Sequence, residues 1–426
     1  MELKGKRFLI THIWLRGYSG AEINILELAK YLKSKGGQVT IFTYSLLGVM
    51  KDEFSRESIP VITDFQHKFM LSDFDFIFSA QNILPNSLID DLTRPHKHYP
   101  KFFFFHMAAL ADHVLEQPYI NGLEEKLGSV ILPISEEIIQ NNLSRFNFKR
   151  DNLVLYPNPA PISFTEYSSK GEPPKLKKIL VVSNHPPKEI KEMKSLFNEQ
   201  SITVDYMGIW TDNYRLSTVE IFANYDCIVG IGKNAQYSLS MGVPIFVYDH
   251  FSGPGFLNES NFDETAWFNF SGRNKQDRRT AIELVDEIIK GFEMAWKFQN
   301  SRVEEFKILY SFDTVINNLM IQANRNNKEI QLFPSEYASY VKAMNLLVKN
   351  QIVNPNNDVI NLWDAVHQKD SQIDTLQGLV SETNRIVANQ SQKVDKLENE
   401  LKLIKASKSY RFFEYLRKVR IRLGLM

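Results

Sequence analysis

RFLITHIWLRGYSGAEINILELAKYLKSKGGQVTIFTY, residues 7–44, passes from an apolar run to helical spacing and back to a β-branched, aromatic run. Arg7–Thr11 reads as a strand, Ala21–Lys35 as a helix with Ile25, Leu28, Ala29 and Leu32 on one face, and Gln38–Tyr44 as a second strand. That is a βαβ unit. Further strands are expected at Phe74–Ser79, Phe102–Phe105, Val130–Ile134 and Leu153–Tyr156, mostly as unbroken apolar runs. Such runs suit a parallel sheet covered by helices on both faces.

Prolines, serines and a glycine gather in YPNPAPISFTEYSSKGEPPKLKK, residues 156–178, which reads as a linker. The alternation then restarts, with strands at Lys178–Ser183, Thr203–Met207, Cys227–Gly230 and Pro244–Tyr248. Helices are expected at Glu189–Asn198, Thr218–Asn224, Gln236–Met241 and Arg279–Phe298. The expected architecture is α/β: two tandem Rossmann-like, doubly wound domains over 1–165 and 176–328, a helical coiled-coil extension over 329–405 and a basic amphipathic tail over 406–426. Ligands should bind outside the carboxyl ends of the strands, in the cleft between the domains.

Composition narrows the function. A chain of 426 residues is too long for one ordinary core. Lys plus Arg equals Asp plus Glu at 50 each, so no global charge marks a nucleic-acid binder. The single cysteine, Cys227, cannot form an internal disulfide or a Cys-based zinc site, which points to a reducing, cytoplasmic setting. No apolar window reaches the length of a membrane span.

Two loops could hold an anion. In WLRGYSGAE, residues 14–22, Gly17 and Gly20 let backbone approach a ligand where a helix opens, although a plain tight turn has the same signature. In VVSNHPPKE, residues 181–189, Ser183, Asn184 and His185 sit at a strand tip before a proline-opened helix, either as a nucleotide site or as a helix cap. His106, after KFFFF, could hydrogen-bond a sugar, shuttle a proton or cap a buried strand. Asp112 and His113 beyond it are weaker candidates for acceptor contacts. DFD at 73–75 imitates a metal motif but reads as a strand start, and the other histidines lack metal-site spacing, so no metal is expected.

The order GYSGAE, LAKYLKSKGGQVTIFTY, ILPISEEIIQNNL, VLYPNPAP, ILVVSNHPPKE and YDCIVGIGKNAQYSLSMGVPIFVYDHFSGPGF resembles glycosyltransferases of the GT-B fold. Over roughly residues 6–325 it is similar to the group 1, or family 4, enzymes of bacterial polysaccharide synthesis. The resemblance implies a UDP-, GDP- or dTDP-sugar donor bound mainly by the second domain, a glycan or lipid-linked acceptor bound mainly by the first, and transfer without a cofactor. It puts Gly17, Gly20, Gly232 and Lys233 near the donor diphosphate, and Ser183, Asn184, His185, Tyr237, Asp249, His250 and Gly253 near its nucleoside and sugar. His106 falls where related enzymes place a catalytic cleft residue.

The family's pair of glutamates seven residues apart is missing: AQYSLSMG, residues 235–242, puts Tyr237 in the second position, and the first falls on Val229. That opens a second reading, a non-catalytic GT-B-like partner of an active transferase. A sugar-nucleotide epimerase is a third.

From Val366 an apolar residue recurs every seven positions at Ile373, Val380, Val387, Val394 and Leu401, with Lys369, Leu376, Thr383, Gln390, Leu397 and Ile404 three further on. A β-branched first seam suits a parallel two-stranded coil, and hence a homodimer; the alternative is one helix folded onto its own domains. After Leu401 eight Lys or Arg face one acidic residue, Glu414. Phe412, Leu416, Val419 and Leu423 form a helical stripe among Arg411, Arg417, Lys418, Arg420 and Arg422, which suits an anionic membrane surface, the inner face of the plasma membrane, or else a protein contact.

Overall fold

The computed structural model describes residues 3–146, 148, 150–168, 175–325 and 329–422. The chain through Val353 is one compact unit, and Asn354 onward is another.

In the first domain the strands are β1 (Arg7–Leu15), β2 (Gln38–Leu46), β3 (Val61–Ile62), β4 (Phe76–Ala80), β5 (Lys101–His106) and β6 (Gly128–Pro133). They pair in the order β3-β2-β1-β4-β5-β6, all parallel. The helices between them are α1 (Gly20–Ser34), α2 (Gly48–Arg56), α3 (Asn86–Asp91) and α4 (Leu123–Leu127). Strand alternation sorts the phenylalanines of β5 onto two faces. Phe103 stacks on Phe78 with ring centroids 4.4 Å apart, while Phe102 and Phe104 stack with each other at 6.3 Å.

After the short α5 (Ile162–Thr165) the second domain builds β7 (Lys178–Val182), β8 (Thr203–Met207), β9 (Cys227–Gly230), β10 (Ile245–Asp249) and β11 (Ser252–Phe256) in the order β11-β10-β9-β7-β8. Its helices are α6 (Lys188–Glu199), α7 (Val219–Phe222), α8 (Lys233–Met241), α9 (Phe262–Trp267), α10 (Ala281–Ser301) and α11 (Val303–Leu309). Leu180, Ile228 and Val247 face the α8 side, and Ile179, Val229 and Phe246 face α6 and α10, so the sheet is buried on both faces as the apolar runs imply.

Three local expectations change. Leu153–Tyr156 is no full strand: Leu153 bridges Ile131 and the Val154 and Tyr156 amides donate to the Ile131 and Pro133 carbonyls, but the next amide in that line, on Asn158, turns back to the Tyr156 carbonyl where Asn158 goes left-handed at φ 50°. The glycine stretch after β10 is a strand, β11, antiparallel to β10. A Cβ on Gly253 would meet the Val247 carbonyl at 2.1 Å, and one on Gly255 would meet the Glu287 carboxylate at 2.2 Å, so these glycines serve close packing rather than loop closure. The linker stretch begins as core: Ala160 and Phe164 are buried in the second domain, so the chain crosses near Asn158.

It crosses back near Ser311. The two passes are joined, with the Ala160 amide donating to the Tyr310 carbonyl at 2.8 Å. Helix α12 (Phe312–Arg325) then buries Phe312, Val315, Ile316, Leu319 and Met320 in the first domain's core. Helix α13 (Ser335–Val348) does likewise with Ala338, Val341 and Val348, and Asn345 donates to the Leu84 carbonyl at 2.9 Å. The end of the expected second domain and the start of the expected extension are thus first-domain structure.

The second unit is α14 (Asn354–Ala406), 53 residues long, followed by α15 (Lys408–Arg422). Of the positions named for the seam and the stripe, the side chains of Val366, Ile373, Val419 and Arg420 and all of Leu423 lie outside the described residues. No described helix is long and apolar enough to cross a membrane.

Leu319→Ala tests the return of α12. It should cost about 2–5 kcal/mol of first-domain stability, read from denaturant unfolding; a surface helix would lose far less.

Candidate functional site: the interdomain cleft

Parallel strands bring their carboxyl ends to one side, and the strand order reverses between β1 and β4 in one sheet and between β7 and β9 in the other. These two reversal points face each other across a cavity of about 370 Å³. The first domain lines it with Tyr18, Ser19, Gly20 and Ile23. The second supplies Ser183–His185 after β7, Gly208, Tyr214 and Arg215 after β8, Ile231–Asn234 after β9, and Asp249 and His250 at the end of β10.

Most polar groups on the second-domain side are fixed by one another. The Ser183 hydroxyl donates to Asp249 at 2.8 Å and accepts from the His185 amide at 3.1 Å. Asn184 accepts from the Ile209 amide at 3.1 Å and donates across the cleft to the Tyr18 carbonyl at 3.3 Å. A Cβ at position 208 would stand 1.9 Å from the Ser183 carbonyl, so only glycine lets β8 end here. Gly232 caps α8 at φ 58°, ψ −130°, a conformation suited to glycine, with open space where a side chain would be. Its successors Lys233 and Asn234 begin the helix, so their N–H groups have no acceptor within it.

Behind that helix start lies a buried polar cluster joining the domains. Lys233 Nζ sits 2.7 Å from Glu27 Oε2 and donates to Asn24 Oδ1 at 2.8 Å and to the Pro159 carbonyl at 3.1 Å. The Tyr237 hydroxyl donates to the other Glu27 oxygen, and its ring stacks on Phe164 at 4.3 Å. Asn24 donates to Asn158 at 2.7 Å, Asn158 to Asn269 at 3.0 Å, and Gln236 to the same Asn269 oxygen at 2.9 Å. Burial pushes Lys233 below its usual range against the opposing pull of Glu27, and pushes the Tyr237 hydroxyl well up, with Glu27 adding to the effect. A second bridge, Arg273 to Glu137, is bidentate.

The first loop is also internally committed. Glu22 accepts the amides of Arg16 and Gly17, the latter at 2.9 Å, and the Tyr18 amide donates to the Tyr214 hydroxyl at 2.6 Å. Burial drives the Glu22 carboxyl upward, with those amides opposing. A Cβ on Gly17 would stand 2.8 Å from the Tyr214 hydroxyl, so Gly17 makes room for a tyrosine across the seam and lies outside the cavity lining.

Nine residues expected at the site line this one cavity: Gly20, Ser183, Asn184, His185, Gly232, Lys233, Tyr237, Asp249 and His250. Gly17, Gly253 and His106 do not. His106 is 1% exposed, with Nε2 2.9 Å from Glu124 Oε2 and Nδ1 3.2 Å from the Glu116 carbonyl. Burial works against its charge, but the charge and hydrogen bond of Glu124 outweigh that, and the net direction is upward. Asn82, in a left-handed conformation at φ 56°, donates to the same Glu124 carboxylate at 2.5 Å. A histidine so enclosed cannot touch a ligand in the cavity without breaking that cluster. Asp112 and His113 are exposed, and Asp75 accepts from the Arg7 amide at 2.8 Å. Among the described residues no three His, Cys, Asp or Glu side chains gather as a metal cage.

Sequence reasoning missed Glu27, which looks like an ordinary polar position within α1, and Arg215, which sits in an irregular loop. Arg215 is exposed, lines the cavity, and has no ion-pair partner among the described residues.

No family model matches the chain, and no curated protein matches it either. Solved structures do. A glycosyltransferase from Rickettsia africae ESF-5 is 14% identical, covering 76% of this chain and 100% of that one, at a TM-score of 0.46. The spinosyn forosaminyltransferase SpnP is 12% identical over 75% of this chain and 99% of its own, at 0.42. TcCGT1 in complex with UDP is 12% identical over 76% and 100%, at 0.39. These are likenesses of outline, and the functional weight rests on the cleft.

Glu27→Gln should destabilise the protein by about 3–5 kcal/mol, because it leaves Lys233 buried without its counter-charge. Pairing it with Lys233→Met should recover most of that loss in chemical unfolding. A second test concerns His12 within β1, whose Nε2 is buried without a partner among the described residues. Burial pushes its pKa down to about 4, with the Trp14 carbonyl opposing and Arg16 adding. The unfolded chain takes up that proton near pH 6.5 and the folded one only near 4, so stability should fall by about 3 kcal/mol as pH drops through that window. His12→Asn should flatten this part of the pH profile of unfolding.

Proposed function

We propose that this protein is a glycosyltransferase of the GT-B type, moving a sugar from a nucleotide-sugar donor to a glycan or lipid-linked glycan in cell-surface polysaccharide synthesis. The observation that carries this reading is the cleft itself, where the strand ends of both domains meet around an open helix start and an unpaired arginine. A nucleoside diphosphate leaving group gathers negative charge as the glycosidic bond breaks. The amides opening α8 and the Arg215 guanidinium are the groups suited to stabilise it. The Ser183–Asp249 pair and His250 stand where ribose or sugar hydroxyls would find a fixed acceptor and donors.

In this reading Lys233 acts by holding the domains closed with Glu27, and its charge reaches the phosphates only in part. His106 and Glu124 act as positioning residues behind the acceptor side. No step calls for a metal. The basic helix Lys408–Arg422, with exposed Phe412, Phe413 and Tyr415, would keep a cytoplasmic enzyme at the anionic inner membrane face where lipid-linked acceptors reside. The commitment of both Lys233 and Tyr237 to Glu27 favours the second reading, a non-catalytic GT-B-like partner of an active transferase.

Calorimetric titration of the full-length protein with UDP, GDP and dTDP should find one that binds. Arg215→Ala should weaken it about ten- to a hundredfold, the loss of one charge-assisted contact. If none of the three binds, the transferase reading fails. If one binds but its sugar nucleotides are neither hydrolysed nor transferred, the partner reading takes its place.

A further inference from the structure

Helix α14 carries an apolar seam whose described side chains are exposed. Val380, Val387, Val394 and Leu401 are 60%, 57%, 54% and 50% exposed, and Leu376, Leu397 and Ile404 between them are exposed to a similar degree. The spacing alternates four and three residues, the repeat that keeps a seam facing a partner helix as the two wind slowly around each other. An isolated helix with this stripe gains nothing from it in water, since helices are held mainly by the packing of their apolar face.

We infer that the occupant of this seam is α14 of a second copy of the same chain, parallel and in register. Two features of the sequence choose that arrangement. The seam contains two polar positions, Thr383 and Gln390, on the line shared by Leu376, Leu397 and Ile404. In a parallel in-register pair each meets its own equivalent, so that one Gln390 amide donates to the other's carbonyl. The Thr383 hydroxyl already donates to the Leu379 carbonyl at 2.8 Å, so it enters the seam with its donor satisfied. Overlapping the same stretch in antiparallel fashion would instead set Thr383 against Val394 and Gln390 against Val387, leaving buried amide groups without partners.

The flanking charges agree. In the parallel pair the residue before each first-seam position approaches the residue five further along on the other helix. Lys393 then meets Glu398 of the second copy, and Glu400 meets its Lys405. Both are opposite-charge pairs, and each occurs twice by symmetry. Antiparallel packing would place Lys393 beside Ile386 and Glu400 beside Leu379, with no charge pair formed. The contact from Leu376 to Lys405 is about 45 Å long, long enough for a stable two-stranded coil.

The chain's only cysteine, Cys227, is fully buried, so single introduced cysteines report cleanly. Full-length protein should sediment at twice its 49.4 kDa mass. Leu401→Cys, oxidised, should give a disulfide-linked dimer, as should Val380→Cys. An equimolar mixture of Leu376→Cys and Leu401→Cys, dissociated and re-annealed before oxidation, should link like to like. Lys393→Glu should raise the dimer dissociation constant severalfold, and adding Glu398→Lys should restore it. A monomer at high protein concentration would overturn the inference, whether the seam then lies on the chain's own domains or on a lipid vesicle. So would a higher oligomer, or preferential 376-to-401 linkage. None of these readouts depends on nucleotide binding, so the inference stands or falls separately from the transferase reading.

Discussion

A carboxylate and an ammonium, Glu27 from one domain and Lys233 from the other, meet where almost no water reaches them. Neither charge is tolerable there alone, and together they are acceptable only with their remaining hydrogen-bonding capacity filled. Asn24, the Pro159 carbonyl and the Tyr237 hydroxyl fill most of it, and Glu27 Oε2 faces only the Lys233 ammonium among the described residues. The requirement spreads outward: α1 must present two polar side chains, Asn24 and Glu27, on a face that a lone domain would make apolar, and Asn158 takes a left-handed turn at φ 50° where it meets Asn24. The relative position of the two sheets follows, and with it the shape of the cleft.

The same pair accounts for the absence of a carboxylate from α8. Tyr237 holds a glutamate by its hydroxyl instead of being one, so negative charge is present at that depth but comes from the opposite domain. An acidic residue at position 237 as well would place two carboxylates beside one lysine in a dry site, and one would have to stay protonated.

The sheets were legible because their strands are unbroken apolar runs, and the cavity because its lining follows strand ends in a doubly wound order. Nine of the twelve expected site residues converge for that reason. What escaped the sequence depends on distance rather than pattern. Gly17 looks like a phosphate-loop glycine, yet it accommodates Tyr214, nearly two hundred positions away in the chain. His106 looks exposed at a strand tip until Glu124 and Asn82 close over it. Helices α12 and α13 fell within the expected second domain and extension, and no periodicity tells which core an amphipathic face will choose. The glycines of β11 signalled a loop because glycine is a poor strand former; the strand needs them because the Val247 carbonyl crowds Gly253 and Gly255 is left-handed at φ 81°.

The chain passes between the domains twice, near Asn158 and near Ser311, and the two passes lie side by side with Ala160 bonded to Tyr310. Two parallel strips fastened together behave as a strap rather than a cord. A strap folds easily about the line across its width and resists twist, because twisting would shear the bond between its halves. The two crossings therefore act as one joined connection rather than as two independent linkers.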